Sequence, residues 1–308
     1  MYDLSKFQRM MVCLDLTQMD KGLIQYASMI ARVFEIDSVY FLHVAESLEL
    51  PVEIQEKYPD LIAPLDETLE HEIKAKVDEN FVLPNGCDVQ IKVATGKVTE
   101  EVIKMAKVKV IDLMVLGRKH HRSNAGLNSS KIAKSSPSSV MYVPENPKLE
   151  LNKILIPIDY SEHSQMAFEI GLALQKQTGA KLMSNHIYRV PTGYHKSGKN
   201  YEEFSEIMLE NTKKDSEKFF KKMDTGDVKF EHTFALDDDP HPADKIYKTA
   251  SEKGVDLIIL GSKGRTSAAA FLIGSVAEKL VYESGDIPLF LVKKGKENLS
   301  LLEALFRL

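Results

Sequence analysis

At 308 residues, 44% hydrophobic and 28% charged, the chain has the length of two globular domains and enough apolar material to give each a core. A net charge of -5 exerts no global pull on nucleic acid or an anionic membrane, and neither a secretory leader at Met1-Tyr-Asp-Leu-Ser-Lys-Phe7 nor a membrane-spanning apolar run is present. The expectation is a cytoplasmic protein without nucleic-acid or membrane partners, and its two cysteines, Cys13 and Cys87, make neither a disulfide framework nor a metal site.

In chain order the first half reads as strand Met10 to Asp15, helix Asp20 to Phe34, strand Ser38 to Val44 and helix Leu65 to Val82. It continues with strand Val89 to Ala94, helix Thr99 to Lys107, strand Ile111 to Leu116, a stunted helix interrupted by Pro137, and strand Val140 to Val143. A polar linker from Glu145 to Glu150, carrying Pro147 and preceded by Pro144, follows.

The second half opens with strand Lys153 to Ile158. Ser161 is the expected N-cap of a helix that presents Met166, Ala167, Ile170, Ala173 and Leu174 on one face and closes at Gly179. Strand Lys181 to Ile187 leads through an irregular stretch, Pro191 to Asn200, into a helix from Tyr201 to Met223 with Phe204, Ile207, Met208 and Phe219-Phe220 on its buried side. Strand Asp227 to Ala235 turns Val228, Phe230, His232 and Phe234 inward, helix Pro242 to Lys253 follows, and strand Val255 to Leu260 precedes a glycine loop. A helix from Gly274-Ser275 and strand Pro288 to Val292 complete it. Strands alternating with helices require right-handed crossovers, so each half is expected to be a doubly wound parallel α/β sheet of five strands.

The halves are copies of one unit. Val110-Ile-Asp-Leu-Met-Val-Leu-Gly-Arg-Lys119 aligns with Gly254-Val-Asp-Leu-Ile-Ile-Leu-Gly-Ser-Lys263, which places Gly117 and Gly261 144 residues apart. Asp15 and Asp159, at the ends of the first strands, share that spacing of 144, and His43 and His186, in the second strands, are 143 apart. The expected division is residues 1–147, 148–294 and a helical extension, 295–308, with Leu301, Leu302, Leu305 and Phe306 at helical spacing.

The chemistry concentrates between Val255 and Leu280. Glycines 261 and 264 let the chain leave a buried strand closely and bring backbone N–H groups near a ligand, and Gly274-Ser275 stands at a helix start, where unpaired N–H groups and the dipole favour an anion. The pattern Gly-x2-Gly-x9-Gly-Ser after a hydrophobic strand resembles the ATP-binding signature of the universal stress protein family. The resemblance spans about residues 6–294 and implies a tandem, Rossmann-like universal stress protein that binds ATP, with magnesium a further expectation, and serves as a stress-response or regulatory module toward an unidentified protein partner. It assigns Asp159 to the ribose or base, the backbone of Ile187 to adenine, and Gly261, Gly264, Gly274 and Ser275 to ribose and phosphates, with Leu260 and Val276 also among the positions that match nucleotide contacts. It also implies an intrachain pseudo-dimer in which Val140 to Val143 meets Leu289 to Val292, with a homodimer as a further possibility.

Each assignment has a plainer reading beside it. Asp159 and Ser275 could serve only as helix caps, and His43 and His186 as hydrogen-bonded core residues. In the first half His120 stands where the second has Gly264, and Ser130 where it has Gly274, so that site reads as degenerate and Asp15 as structural. The basic run Arg118 to Arg122 reads as a solvated loop before an anion site. Gly193 to Asn200 matches a P-loop except that Asn200 replaces the magnesium-binding hydroxyl residue. The acidic run Asp237 to Asp239 reads as turn and capping chemistry rather than a cation site. No catalytic motif or metal-ligand spacing occurs, which leaves an adaptor without nucleotide, or a weak ATPase, as alternative functions.

Overall fold

The computed structural model describes residues 4–47, 65–118, 131–238, 241–264, 273–282 and 285–294. The chain divides into two compact units, Ser5–Leu149 and Glu150–Lys293. In the first, β1 (Arg9–Leu14), α1 (Met19–Val33), β2 (Ser38–Ala45), α2 (Leu65–Asn80), β3 (Asp88–Thr95), α3 (Val98–Val108), β4 (Leu113–Arg118) and β5 (Ser139–Pro144) follow in order. In the second, the elements are β6 (Lys153–Pro157), α4 (Glu162–Thr178), β7 (Lys181–Tyr188), α5 (Tyr201–Phe220), β8 (Phe230–Leu236), α6 (Pro242–Lys253), β9 (Leu257–Gly261), α7 (Ser275–Tyr282) and β10 (Leu289–Val292). Strand order is β3-β2-β1-β4-β5 in the first unit and β8-β7-β6-β9-β10 in the second, with parallel pairing throughout each. The expected doubly wound five-stranded parallel sheet is therefore present twice.

Central strands carry the cores. Met10, Met11 and Val12 of β1, Leu113 to Val115 of β4, and Ile154 and Ile156 of β6 are fully buried, as continuous apolar runs in parallel sheets require. Helix α4 lies so close to its sheet that a Cβ at Gly171 would come within 2.2 Å of the Ile156 side chain.

Two polar devices occur once per unit. The Asp112 carboxylate accepts from the backbone N–H groups of Gln8 (3.1 Å) and Arg9 (3.0 Å), and Asp256 accepts in the same way from Asn152 (2.9 Å) and Lys153 (3.0 Å). The shared Asp-Leu therefore ties the start of the fourth strand to the start of the first. On the second strand, His43 Nδ1 meets the Leu14 carbonyl at 3.0 Å and His186 Nδ1 meets Ile158 at 2.7 Å. Both are hydrogen-bonded as expected, His186 buried in the core and His43 half-buried.

Several boundaries differ from expectation. Strand β8 begins at Phe230 rather than Asp227, because Gly226 turns the chain with φ 54° just before it. Helix α5 buries Thr212, Ser216 and Phe219, whereas Ile207 is exposed. The cause is that its N-terminal half covers the short turn Tyr194–Ser197, with Tyr194 and Phe204 rings 6.2 Å apart, instead of the sheet. Residues 131–135 are helical; residues 119–130 and 295–308 lie outside the described residues.

Candidate functional site

The rim at the carboxyl ends of β6, β7 and β9 is built from three local structures. The first is the turn after β6. Asp159 Oδ1 accepts from Ser161 N–H (3.0 Å) and from its hydroxyl (2.5 Å), and Ser161 in turn caps α4 by accepting from Ser164 N–H at 3.2 Å. Between them Tyr160 has φ 65°, a left-handed conformation uncommon for a bulky residue, held by ring stacking on His186 at 4.4 Å.

The second is the departure from β9. A Cβ at Gly261 would lie 2.6 Å from the backbone carbon and oxygen of His163, so only glycine lets the first turn of α4 rest on the strand end. The following Ser262 N–H donates to Val292 O at 2.9 Å. That bond sets Lys263 beside Lys293, and burial, assisted by the Lys263 charge, pushes the Lys293 ammonium down to about 7.

The third joins the loop to a helix. A Cβ on Gly264 would stand 2.8 Å from Asp159 Oδ2, and one on Gly274 would stand 3.3 Å from the Gly264 nitrogen. Gly274 N–H donates to Ser262 O (2.9 Å), while its carbonyl accepts from Glu278 N–H (2.8 Å) as the first bond of α7. Gly264 is thus in van der Waals reach of both Asp159 and Gly274, although 105 and 10 residues separate it from them along the chain. Ser275 is exposed and Val276 half-exposed at the start of α7; Leu260 is buried at the end of β9, and Ile187 is half-exposed near the end of β7. The residues between Gly264 and Ile273 lie outside the described residues.

The sequence profile described as the universal stress protein family matches residues 6–144 and again 150–293, nearly the whole chain. The chain is a tandem member of the universal stress protein family. A universal stress protein of Methanocaldococcus jannaschii is 31% identical over 147 residues, 47% of this chain and 84% of that protein. One from Bacillus subtilis is 31% identical over 150 residues, 46% of this chain and 99% of its own length. These relatives match about half of the tandem chain. The crystal structure of a universal stress protein from Archaeoglobus fulgidus covers 94% of this chain and 99% of its own, with 18% identity and a TM-score of 0.59, and so shares the fold.

Other motifs resolve into structural roles. In this universal stress protein the near P-loop is a helix start: Asn200 accepts from Glu203 N–H (2.8 Å) while the Glu203 carboxylate accepts from Asn200 N–H (3.1 Å), a reciprocal capping box. The residue that breaks the P-loop pattern is the N-cap. In the acidic run, Asp237 pairs with Arg189 at 2.7 Å and Asp238 with Lys245, so both carboxylates take part in salt bridges; Asp239 lies outside the described residues. Among the described residues no three His, Cys, Asp or Glu side chains gather as a metal site, and no helix is long and apolar enough to cross a membrane.

Sequence reasoning missed three rim residues. His163 passes its backbone against Gly261, and Lys293 follows β10 as a buried ammonium. Asn185 stands in the buried strand β7 with 2% exposure. Only Asn185 left a signal, a polar residue in a strand where the aligned residue of the first half is Leu42.

Proposed function

We propose that the second unit binds ATP at the rim formed by Asp159, Ile187, Leu260, Gly261, Gly264, Gly274, Ser275 and Val276. The observation that carries this reading is the approach of Gly264 to both Asp159 and Gly274, so close that a Cβ on Gly264 would meet the Asp159 carboxylate at 2.8 Å. Two distant backbone segments and one carboxylate converge there, beside the N-terminus of α7, whose unpaired N–H groups and dipole suit phosphate. A carboxylate next to that anion cradle suits the hydroxyls of a ribose. Lys263 and Lys293 add positive charge on the β9–β10 side, and phosphate nearby would favour the protonated form of Lys293. Magnesium arriving with the triphosphate needs only one or two protein carboxylates, and Asp159 could supply one.

Among the described residues the rim carries no pair of groups arranged to activate a water, and we read the site as a nucleotide sensor whose occupancy is relayed to a protein partner. Titration calorimetry of the full chain with ATP, alongside identification of any nucleotide released on denaturation, tests this. Micromolar or tighter binding that disappears in Gly264→Val is the expected outcome. Binding that survives both Gly264→Val and Gly274→Val sinks the assignment. ATP turnover above background that vanishes in Asp159→Ala would replace the sensor with an ATPase.

A further inference from the structure

Strand β7 holds a polar group that the fold does not use. Asn185 is 2% exposed, and neither its carboxamide oxygen nor its nitrogen has a hydrogen-bond partner. Leaving a buried amide unpaired costs on the order of 1–3 kcal/mol or more. The first unit avoids this cost: the aligned residue of β2, the corresponding second strand of that unit, is Leu42, 1% exposed.

The direction of the side chain follows from the pleat. Ser184 and His186 point to one face, where Ser184 Oγ meets His232 Nδ1 at 2.7 Å and His186 stacks on Tyr160. Asn185 therefore points to the other, in line with Met183 and Ile187. Its cross-strand neighbours are Pro157 on β6 and Thr233 on β8. The Thr233 hydroxyl is engaged with Ser184 O at 3.3 Å and so does not serve Asn185. Two residues beyond Pro157 is Asp159, which faces Gly264; two beyond Asn185, about 7 Å along the strand, is Ile187 at the rim. The carboxamide thus sits at the floor of the same rim, flanked by apolar Met183, Ile187 and Pro157.

We infer that Asn185 reads the edge of the nucleobase and makes the site selective for a 6-aminopurine. A carboxamide offers one acceptor beside one donor. Adenine presents the complement, a 6-amino donor beside a ring-nitrogen acceptor, so two hydrogen bonds form and the buried amide is satisfied only when the base is in place. A site whose buried polar group is paired by the ligand discriminates strongly against an analogue that lacks the partner. The inference rests on the proposed nucleotide site and adds the residue that selects the base.

The test compares ATP with purine riboside 5′-triphosphate, which differs only by hydrogen in place of the 6-amino group, on the full chain and on Asn185→Leu. The wild-type protein should prefer ATP by tenfold or more, and Asn185→Leu by no more than about twofold. An equal preference in both proteins, or an equal loss of both nucleotides in the variant, assigns Asn185 a packing role and overturns the inference while leaving the site intact. A wild-type ratio near one overturns it without any variant, which covers the case in which Asn185→Leu fails to fold. If the wild-type protein binds neither nucleotide, the site itself is refuted and the base reader with it.

Discussion

The two repeats share a turn and differ in what surrounds it. After β1, Asp15 Oδ1 accepts from Thr17 N–H (3.2 Å) and hydroxyl (2.6 Å), and Leu16 takes φ 61°; after β6, Asp159, Ser161 and Tyr160 do the same. Yet Asp15 is exposed, whereas Asp159 is half-buried with its second oxygen against Gly264. The aspartate's local job is identical in both units, so the turn alone says nothing about ligand binding. What differs is the company.

The fourth strand teaches the same lesson. In the second unit Gly261 faces the backbone of His163; in the first, a Cβ on Gly117 would meet the thioether of Met19 at 2.8 Å, the end of a flexible side chain. Ser161 caps α4 with its hydroxyl, while α1 starts at Gln18 with no side-chain cap, and the nearby Asp20 carboxylate accepts from Asp15 N–H at 3.2 Å. Burial pushes the Asp20 carboxyl up from the ordinary range. Arg118, largely buried, stands where the second unit has Ser262. Among the described residues the Met19 and Asp20 side chains pack at the strand ends of the first unit, where the second brings backbone close at glycine.

The largest expected effect separates the rims outright. Gly264→Val and Gly274→Val should each lower ATP affinity by about 100-fold or more with the thermal transition nearly unchanged, because the added carbons enter the space shared by Asp159 and the loop backbone. Next, Gly261→Ala should destabilise the protein by about 2–4 kcal/mol in urea unfolding, since a Cβ 2.6 Å from His163 backbone must displace a helix. Gly117→Ala should cost less than half as much, because the Met19 side chain can swing away. Equal costs would show that the two strand ends are packed alike after all.

A pH effect carried by one histidine should mark the second unit. The pair Ser184 and His232 occupies the β7–β8 rung that Phe41 and Ile91 fill between β2 and β3. Burial, reinforced by the His186 charge, pushes His232 from 6.5 down to about 4. Between those values the unfolded chain binds a proton that the folded chain refuses, so stability falls as pH drops from 6.5 toward 4 and is independent of this group above 6.5. Denaturant titrations at pH 7 and pH 4.5 should show a loss on the order of 1–3 kcal/mol that is largely absent in His232→Phe. The smallest effect closes the comparison: Asp159→Ala should weaken ATP about tenfold and Asp15→Ala less than twofold by calorimetry. A comparable loss in both would give the first unit a nucleotide site too.

Much of this architecture was legible in one dimension. Parallel strands buried on both faces need continuous apolar runs, so Ile154 to Ile158 and Leu257 to Leu260 announced themselves, and duplication at a spacing of 143 or 144 residues supplied the strand-end aspartate, the histidine and the first glycine twice. The glycine spacing was equally plain, as glycine is required wherever backbone must approach backbone. By contrast, the buried face of α5 was misjudged at Ile207, since periodicity reports which residues share a helix face but not which element covers it. The repeated Asp112 and Asp256 were visible as identities, but their clamp on the first strand depends on a strand neighbour more than 100 residues away.

The glycine pattern from Gly261 to Ser275 by itself determined where to look, because strand, loop and helix start are local in sequence. Only tertiary structure decided what gathers there. Asp159 against Gly264, His163 against Gly261 and the unpaired carboxamide of Asn185 are relations among strands β6, β7 and β9, set by sheet register and helix packing rather than by neighbouring residues in the chain.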